Sequence, residues 1–287
     1  MFIGFAGTEL TPAVRQLLEA VRPGGVVLFA RNIDTAAQVQ RLTGGLRELL
    51  GDELLVAIDQ ESGRVNRLRS ILGELPRIGE LKRAGDPQRA AQFGAETGQA
   101  VRALGINLDF APVLDLELFS ADVDNSLRER CWGATAEEVV TWAGAFMEGL
   151  QGQGVLACPK HFPGLGAAAT DSHEQLPVID RSAATLWDQD VQPYRALLDQ
   201  CHAVMVGHGC YPALDRGRPA SLSPQIITGW LRDRLGFKGL VVTDDLEMKA
   251  IPDVAGAVVA ARAAGADMML VCHSATKIRE AQAALGK

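Results

Sequence analysis

Residues 240–245 read Leu240-Val241-Val242-Thr243-Asp244-Asp245, an apolar run of strand length that ends directly in two carboxylates. The same arrangement recurs along the chain. Leu54-Leu55-Val56-Ala57-Ile58 runs into Asp59-Gln60-Glu61, residues 155–158 lead to Lys160-His161, and residues 203–206 lead to His208. Asp109 lies near the end of another run, 106–110, with Asp115 just beyond it. Short, mostly apolar runs sit at 2–6, 25–29, 54–58, 106–110, 154–157, 202–206, 239–243 and 267–271. Helix-compatible stretches alternate with them, at 11–21, 35–50, 88–103, 136–151, 183–200, 223–235, 251–264 and 276–285. In 136–147 apolar residues recur at helical spacing. Ser223-Pro224 reads as a cap followed by proline in the first turn. Strands alternating with helices argue for parallel β/α units, and eight is the number that closes a barrel. The expected fold is α/β, a single (β/α)8 TIM-type barrel over residues 1–287 as one catalytic domain. An open, doubly wound sheet is the rival. A barrel draws its site from the loops at the strands' C-terminal ends, and the polar clusters fall there.

Composition narrows the partners. The chain has 287 residues and is 47% apolar, yet no apolar run reaches the ~18 residues that a membrane span needs; no membrane partner is expected. A net charge of −7, spread along the chain, argues against a nucleic-acid surface and reads as solubility. The five cysteines are scattered, odd in number and without a C-x-x-C pair, as expected of reduced thiols in a cytoplasmic protein. The start, Met1-Phe2-Ile3-Gly4-Phe5, has no basic region or cleavage site and reads as a strand, not a signal peptide. Only 5% of residues are aromatic, which favours a pocket acting on chain ends over a long stacking cleft.

Three clusters carry chemistry. Lys160-His161-Phe162-Pro163-Gly164-Leu165-Gly166 leads through a small-residue tract to Asp171-Ser172-His173. An Asp and a His two residues apart can hydrogen-bond, the carboxylate favouring the imidazolium that a general acid requires. A solvated loop with a chance D-x-H is the plain alternative. A zinc site at His161 and His173 lacks a third ligand at a recognisable spacing, so no metal is expected. The second cluster is Asp244-Asp245. Carboxylates at a strand end can serve as nucleophile, base or metal ligand; Asp245, just before Leu246-Glu247-Met248-Lys249, can simply cap a turn. Alternation along a strand puts the two on opposite sides, leaving Asp244 to face the barrel mouth. The third cluster, residues 59–67, and Arg130 in Arg128-Glu129-Arg130-Cys131-Trp132-Gly133 offer the carboxylates and guanidinium groups that bind sugar hydroxyls, or an ordinary surface ion-pair loop. His202 and His273 read as structural histidines.

Taken together, these residues resemble glycoside hydrolase family 3, and within it the single-barrel β-N-acetylglucosaminidases of peptidoglycan recycling. The family pattern D-Q-E-G-G-R-V-x-R is similar to residues 59–67, G-I-N-x-x-x-A-P-V-x-D to 105–115, K-H-F-P-G-H-G followed by D-S-H to 160–173, and [ST]-D-x-L-x-M to 243–248. The D-S-H element resembles the acid/base dyad of the N-acetylglucosaminidase branch; family β-glucosidases generally take a Glu from a second domain. Departures are Leu165 where the family has His, Ser62 for a Gly, and Cys131-Trp132 for Ser-Phe.

The resemblance implies Asp244 as nucleophile, His173 as acid/base and Asp171 as its partner. It implies that Asp59, Arg67, Arg130, Lys160 and His161 hold the sugar at the non-reducing end. Asp244 would attack the anomeric carbon while His173 protonates the departing oxygen, and water would then release the glycosyl-enzyme with His173 as base. No cofactor is expected. The expected partner is a small carbohydrate, an N-acetylglucosamine-containing muropeptide, acted on by a monomer. Other readings are a family β-glucosidase or β-xylosidase, a phosphorylase using phosphate in place of water, a Schiff-base lyase through Lys160, and a sugar-binding relic without turnover.

Overall fold

A computed structural model describes residues 1–119, 125–168, 170 and 176–286. Eight parallel strands form its sheet: β1 (Phe2–Ile3), β2 (Gly25–Leu28), β3 (Leu55–Ile58), β4 (Leu108–Asp109), β5 (Leu156–Ala157), β6 (Ala203–Val206), β7 (Leu240–Asp245) and β8 (Met268–Val271). Their order is β5-β4-β3-β2-β1-β8-β7-β6. Residues just past β5 link its two ends. Met205 N donates to Pro159 O (2.9 Å), Phe162 N to Met205 O (2.9 Å) and Gly207 N to Phe162 O (3.1 Å). The ring is therefore closed, which separates a barrel from the open-sheet rival. The same short segment carries Lys160 and His161, so barrel closure and the delivery of two polar side chains are one structural event.

The lumen is filled by alternate strand residues. Phe2, Val27, Ala57, Leu108, Phe110, Met205, Val242 and Leu270 form one buried cluster, with Phe2 and Phe110 packed edge to face at 5.6 Å between ring centroids. Gly25 belongs here because a Cβ would overlap the Phe2 ring. The other strand faces meet the helices. Pro12–Val21, Ala36–Leu50, Gln88–Ala103, Ala136–Gln151, Val254–Ala264 and Ala275–Leu285 pack their apolar stripes around the barrel. Thr11, Thr35, Thr135, Asp253 and Ser274 cap the first three and last three of these apart from Gln88–Ala103, each accepting from a backbone N–H in the first turn. Gln88–Ala103 and Ala136–Gln151 approach so closely that a Cβ on Gly94 would overlap the Phe146 carbonyl.

Differences from the expected elements are local. The stretch 183–200 is not one helix: it is broken into Ala183–Thr185, a wider π turn over Leu186–Asp190, Gln192–Leu197 and a 3-10 turn over Leu198–Gln200. Pro193 lacks the N–H that a continuous ladder requires. Gln225–Arg234 is likewise π-type. An antiparallel pair, Cys210–Tyr211 with Asp215–Pro219, had no counterpart in the apolar runs because its second strand is charged and partly exposed. The five cysteines are free. Among the described residues no helix is long and apolar enough to cross a membrane, and no group of three His, Cys, Asp or Glu is arranged to hold a metal.

Candidate active site

The loop after β3 is built around one buried amide. Gln60 Oε1 accepts from Arg67 N (2.9 Å) and Leu68 N (3.1 Å), while Gln60 Nε2 donates to Asn66 Oδ1 (3.0 Å). Its own N–H donates to Asp109 Oδ1 at the end of β4 (2.9 Å). Burial pushes the Asp109 carboxyl well above its ordinary range. With Gln60 turned inward, its neighbours Asp59 and Glu61 are held at the barrel mouth and Arg67 returns to the same side.

These carboxylates meet three cations. Lys160 Nζ lies 2.7 Å from both Asp59 Oδ1 and Glu61 Oε1. Arg130 grips Glu61 with a bidentate fork, Nε to Oε2 at 2.8 Å and Nη2 to Oε1 at 2.7 Å. Arg67 Nη2 stands 3.6 Å from Asp59 Oδ2. Burial alone would raise the Asp59 and Glu61 carboxyls, but the cations outweigh it and hold both below the usual range. Lys160 shows the converse: burial would lower it, and Asp59 and Glu61 raise it. The whole cluster is thus ionised at neutral pH, a fixed array of charged donors and acceptors suited to hydroxyl groups.

His161 is oriented from behind. Its Nδ1 lies 2.6 Å from Asp115 Oδ2, and Asp115 Oδ1 accepts from Leu165 N at 2.7 Å. Asp115 thus ties the ring and the following turn together, while the Tyr211 hydroxyl donates to Gly164 O (2.8 Å). Leu165 is buried, 3% exposed, and packs beside Gly207 and Gly209. Its departure from the family pattern therefore adds apolar packing to the barrel wall, and it is not among the residues that line the pocket. Arg130 arrives on a turn anchored by Trp132, which packs on Phe146 at 5.6 Å, and by Asn125 Nδ2 donating to Ala168 O at 3.0 Å.

All six described candidates converge. Asp59, Arg67, Arg130, Lys160, His161 and Asp244 line one pocket of about 390 Å³ at the strands' C-terminal ends. Asp171 and His173 lie outside the described residues. Glu61 was missed as a site residue although it sits in the quoted motif; its neighbours on both sides in space, Arg130 and Lys160, are distant in sequence. Asp115 was noted without a role for the same reason.

One expectation is corrected. Asp244 and Asp245 do not face opposite sides, since both line the pocket. The register between β7 and β8 shifts, with Val242 opposite Met268 but Asp245 opposite Leu270. Three residues on β7 thus span two on β8, a bulge that breaks strict alternation. Asp245 still supports the following turn, its Oδ1 accepting from Glu247 N (3.0 Å), and its own N–H donates to Asp244 Oδ1 (2.8 Å). His273 is a second correction. It reads as a structural histidine in the sequence, yet it lines the pocket, with Nε2 2.9 Å from Asp245 Oδ2. His202 is remote, exposed and hydrogen-bonded to Gln151 (2.8 Å).

The model of the glycosyl hydrolase family 3 N-terminal domain matches residues 6–287. The chain belongs to glycosyl hydrolase family 3. Among curated relatives, a beta-hexosaminidase of Pseudomonas aeruginosa is 38% identical over 292 residues, covering 99% of this chain and 86% of that protein. A beta-hexosaminidase of Bordetella avium is 37% identical over 285 residues, covering 95% and 80%. Of solved structures, NagZ from Neisseria gonorrhoeae in complex with N-trifluoroacetyl-D-glucosamine superposes with a TM-score of 0.89 at 32% identity, covering 99% of this chain and 84% of that one. A β-N-acetylglucosaminidase from Paenibacillus gives 0.92 at 37%, and this chain spans 55% of its length.

Proposed function

We propose that this family 3 chain is a retaining exo-β-N-acetylglucosaminidase that releases terminal N-acetylglucosamine through a glycosyl-Asp intermediate. The observation that carries the reading is the buried Asp59–Lys160–Glu61–Arg130 array set in the same pocket as Asp244. Such an array satisfies the hydroxyls of one terminal sugar and positions its anomeric carbon, while a carboxylate at the strand end supplies the nucleophile. The beta-hexosaminidase relatives and the glucosamine-derivative complex of the gonococcal neighbour support the choice of sugar. In this reading His173, partnered by Asp171, is the acid/base. The natural substrate is a muropeptide fragment, the enzyme is a monomer, and it works in the cytoplasm on peptidoglycan being recycled.

A panel of p-nitrophenyl glycosides, with and without phosphate, tests the reading. The N-acetyl-β-glucosaminide is expected to be the best simple substrate and its α-anomer inert. A preference for the β-glucoside or β-xyloside would move the assignment within the family. Acceleration by phosphate would make the enzyme a phosphorylase, and N-acetylglucosamine binding without turnover would make it a relic.

Arg67 and Arg130 are expected to differ. The Arg67 side chain is about a third exposed (34%) and its ion pair is long, 3.6 Å. Arg67→Ala should raise KM several-fold with a smaller change in kcat and little change in Tm, because it removes binding shared by ground and transition states. Steady-state kinetics and a melting curve check both parts. An unchanged KM would remove Arg67 from the sugar pocket.

A further inference from the structure

The bulge in β7 brings two adjacent acidic residues, Asp244 and Asp245, to one pocket, and the Asp245 backbone N–H donates to Asp244 Oδ1 (2.8 Å). The aim of that N–H depends on how firmly Asp245 itself is held. The structure places a fixed chain of donors behind Asp245. Arg31, in the loop after β2, is anchored by Nε to Phe5 O (3.0 Å) and Nη2 to Cys272 O (2.6 Å). That leaves Nη1, 3.2 Å from His273 Nδ1.

A guanidinium can only donate. His273 Nδ1 must therefore accept, the ring is the Nε2–H tautomer, and Nε2 donates to Asp245 Oδ2 at 2.9 Å. The ring thus carries one line of hydrogen bonds from Arg31 to Asp245. Phe29 braces it: the His273 ring lies 5.3 Å from the Phe29 centroid, and Arg31 Cζ lies 4.2 Å from that centroid. Glu247 accepts from the backbone N–H groups of His273 and Ser274 and so fixes the loop after β8. Asp245 is pinned elsewhere too. Buried His208 reaches its carbonyl at 3.0 Å through Nε2, the other ring nitrogen lying 2.7 Å from Ser221 Oγ. Among the described residues, the titratable and charged groups around Asp245 include Asp244 and Glu247 on its own segment, His208 after β6, Arg31 after β2, and Cys272 and His273 after β8.

We propose that Arg31 and His273 are positioning residues for the reaction, holding the Asp245 side chain in place so that its backbone N–H orients the carboxylate of Asp244. This rests on Asp244 being the nucleophile. His273 touches neither the turn's backbone hydrogen bonds through its ring nor the core, since its side chain is 53% exposed; its loss should leave the fold intact.

The test is steady-state kinetics with p-nitrophenyl N-acetyl-β-glucosaminide for the wild type, His273→Ala, His273→Gln and Asp244→Asn. Without its donor, the Asp245 side chain is no longer held and its N–H loses its aim at Asp244. His273→Ala should therefore lower kcat about ten-fold, with KM changed less than about two-fold. His273→Gln should recover most of the loss, because one amide can accept from Arg31 and donate to Asp245. An unchanged kcat in His273→Ala, or a Gln variant no better than Ala, would overturn the relay while Asp244→Asn remained inactive. An Asp244→Asn variant with wild-type activity would instead overturn the nucleophile assignment itself.

Discussion

Asp244→Asn should fold normally and lose at least about 10³-fold in kcat, since removal of a nucleophile from a hydrolase can cost up to about 10⁶-fold. The substitution is close to isosteric. It keeps an oxygen that can accept from Asp245 N, the 2.8 Å contact that ends β7, so the bulge and its turn should persist and Tm should change little. What disappears is the negative charge and the capacity to form a glycosyl ester. Trapping gives the direct readout. A slow fluorosugar substrate, followed by peptide mapping, should label Asp244 and leave Asp245 unmodified. Asp245 is held by His273, Glu247 N and His208, and each contact ties it to the scaffold. A label on Asp245 would reverse the assignment. No label on either in an enzyme strongly inhibited by a thiazoline analogue would make the substrate's acetamide the nucleophile.

Glu61→Ala is expected to destabilise the fold by about 3–5 kcal/mol, because it leaves buried charge without its counter-charge. Glu61 is 6% exposed and accepts from both Arg130 and Lys160. Lys160 keeps Asp59, but among the described residues the Arg130 fork keeps only its Ser126 carbonyl contact. Thermal melting and denaturant midpoints measure the loss, and sugar binding should vanish with it because the array collapses. A destabilisation within about 0.5 kcal/mol, typical of a surface change, would contradict the burial argument. The same cluster sets a pH dependence. Arg130 and Lys160 hold the folded-state Glu61 carboxyl below its ordinary 4.5, outweighing the burial that alone would raise it. Asp59 moves the same way from 3.8. Both therefore contribute stability that is fully present above those ordinary values and is lost as pH falls through the depressed folded values. Acid titration of the wild type should show it, and Glu61→Gln should flatten that part of the curve.

Much of this molecule is legible along the chain. Seven of the eight strands fall inside their apolar runs, β7 alone continuing two residues further to Asp245, and six of the eight helical stretches form helices within a few residues of their expected limits. That follows from local physics: a buried parallel strand must be apolar throughout, and a surface helix must repeat its apolar residues every three or four positions. Asp59, Glu61, Lys160, His161, Asp244 and Asp245, which follow three of the runs, gather in one pocket because every strand of a closed parallel barrel ends at the same rim. Tertiary structure decided the rest. The partners of Glu61, Asp115 and His273 come from different loops, separated by tens to hundreds of residues, and no local pattern reports such pairs. The shared outlook of Asp244 and Asp245 depends on how β7 registers against β8. Alternation is a property of one strand, but a bulge is a property of two, and only the paired backbone shows where the extra residue is accommodated.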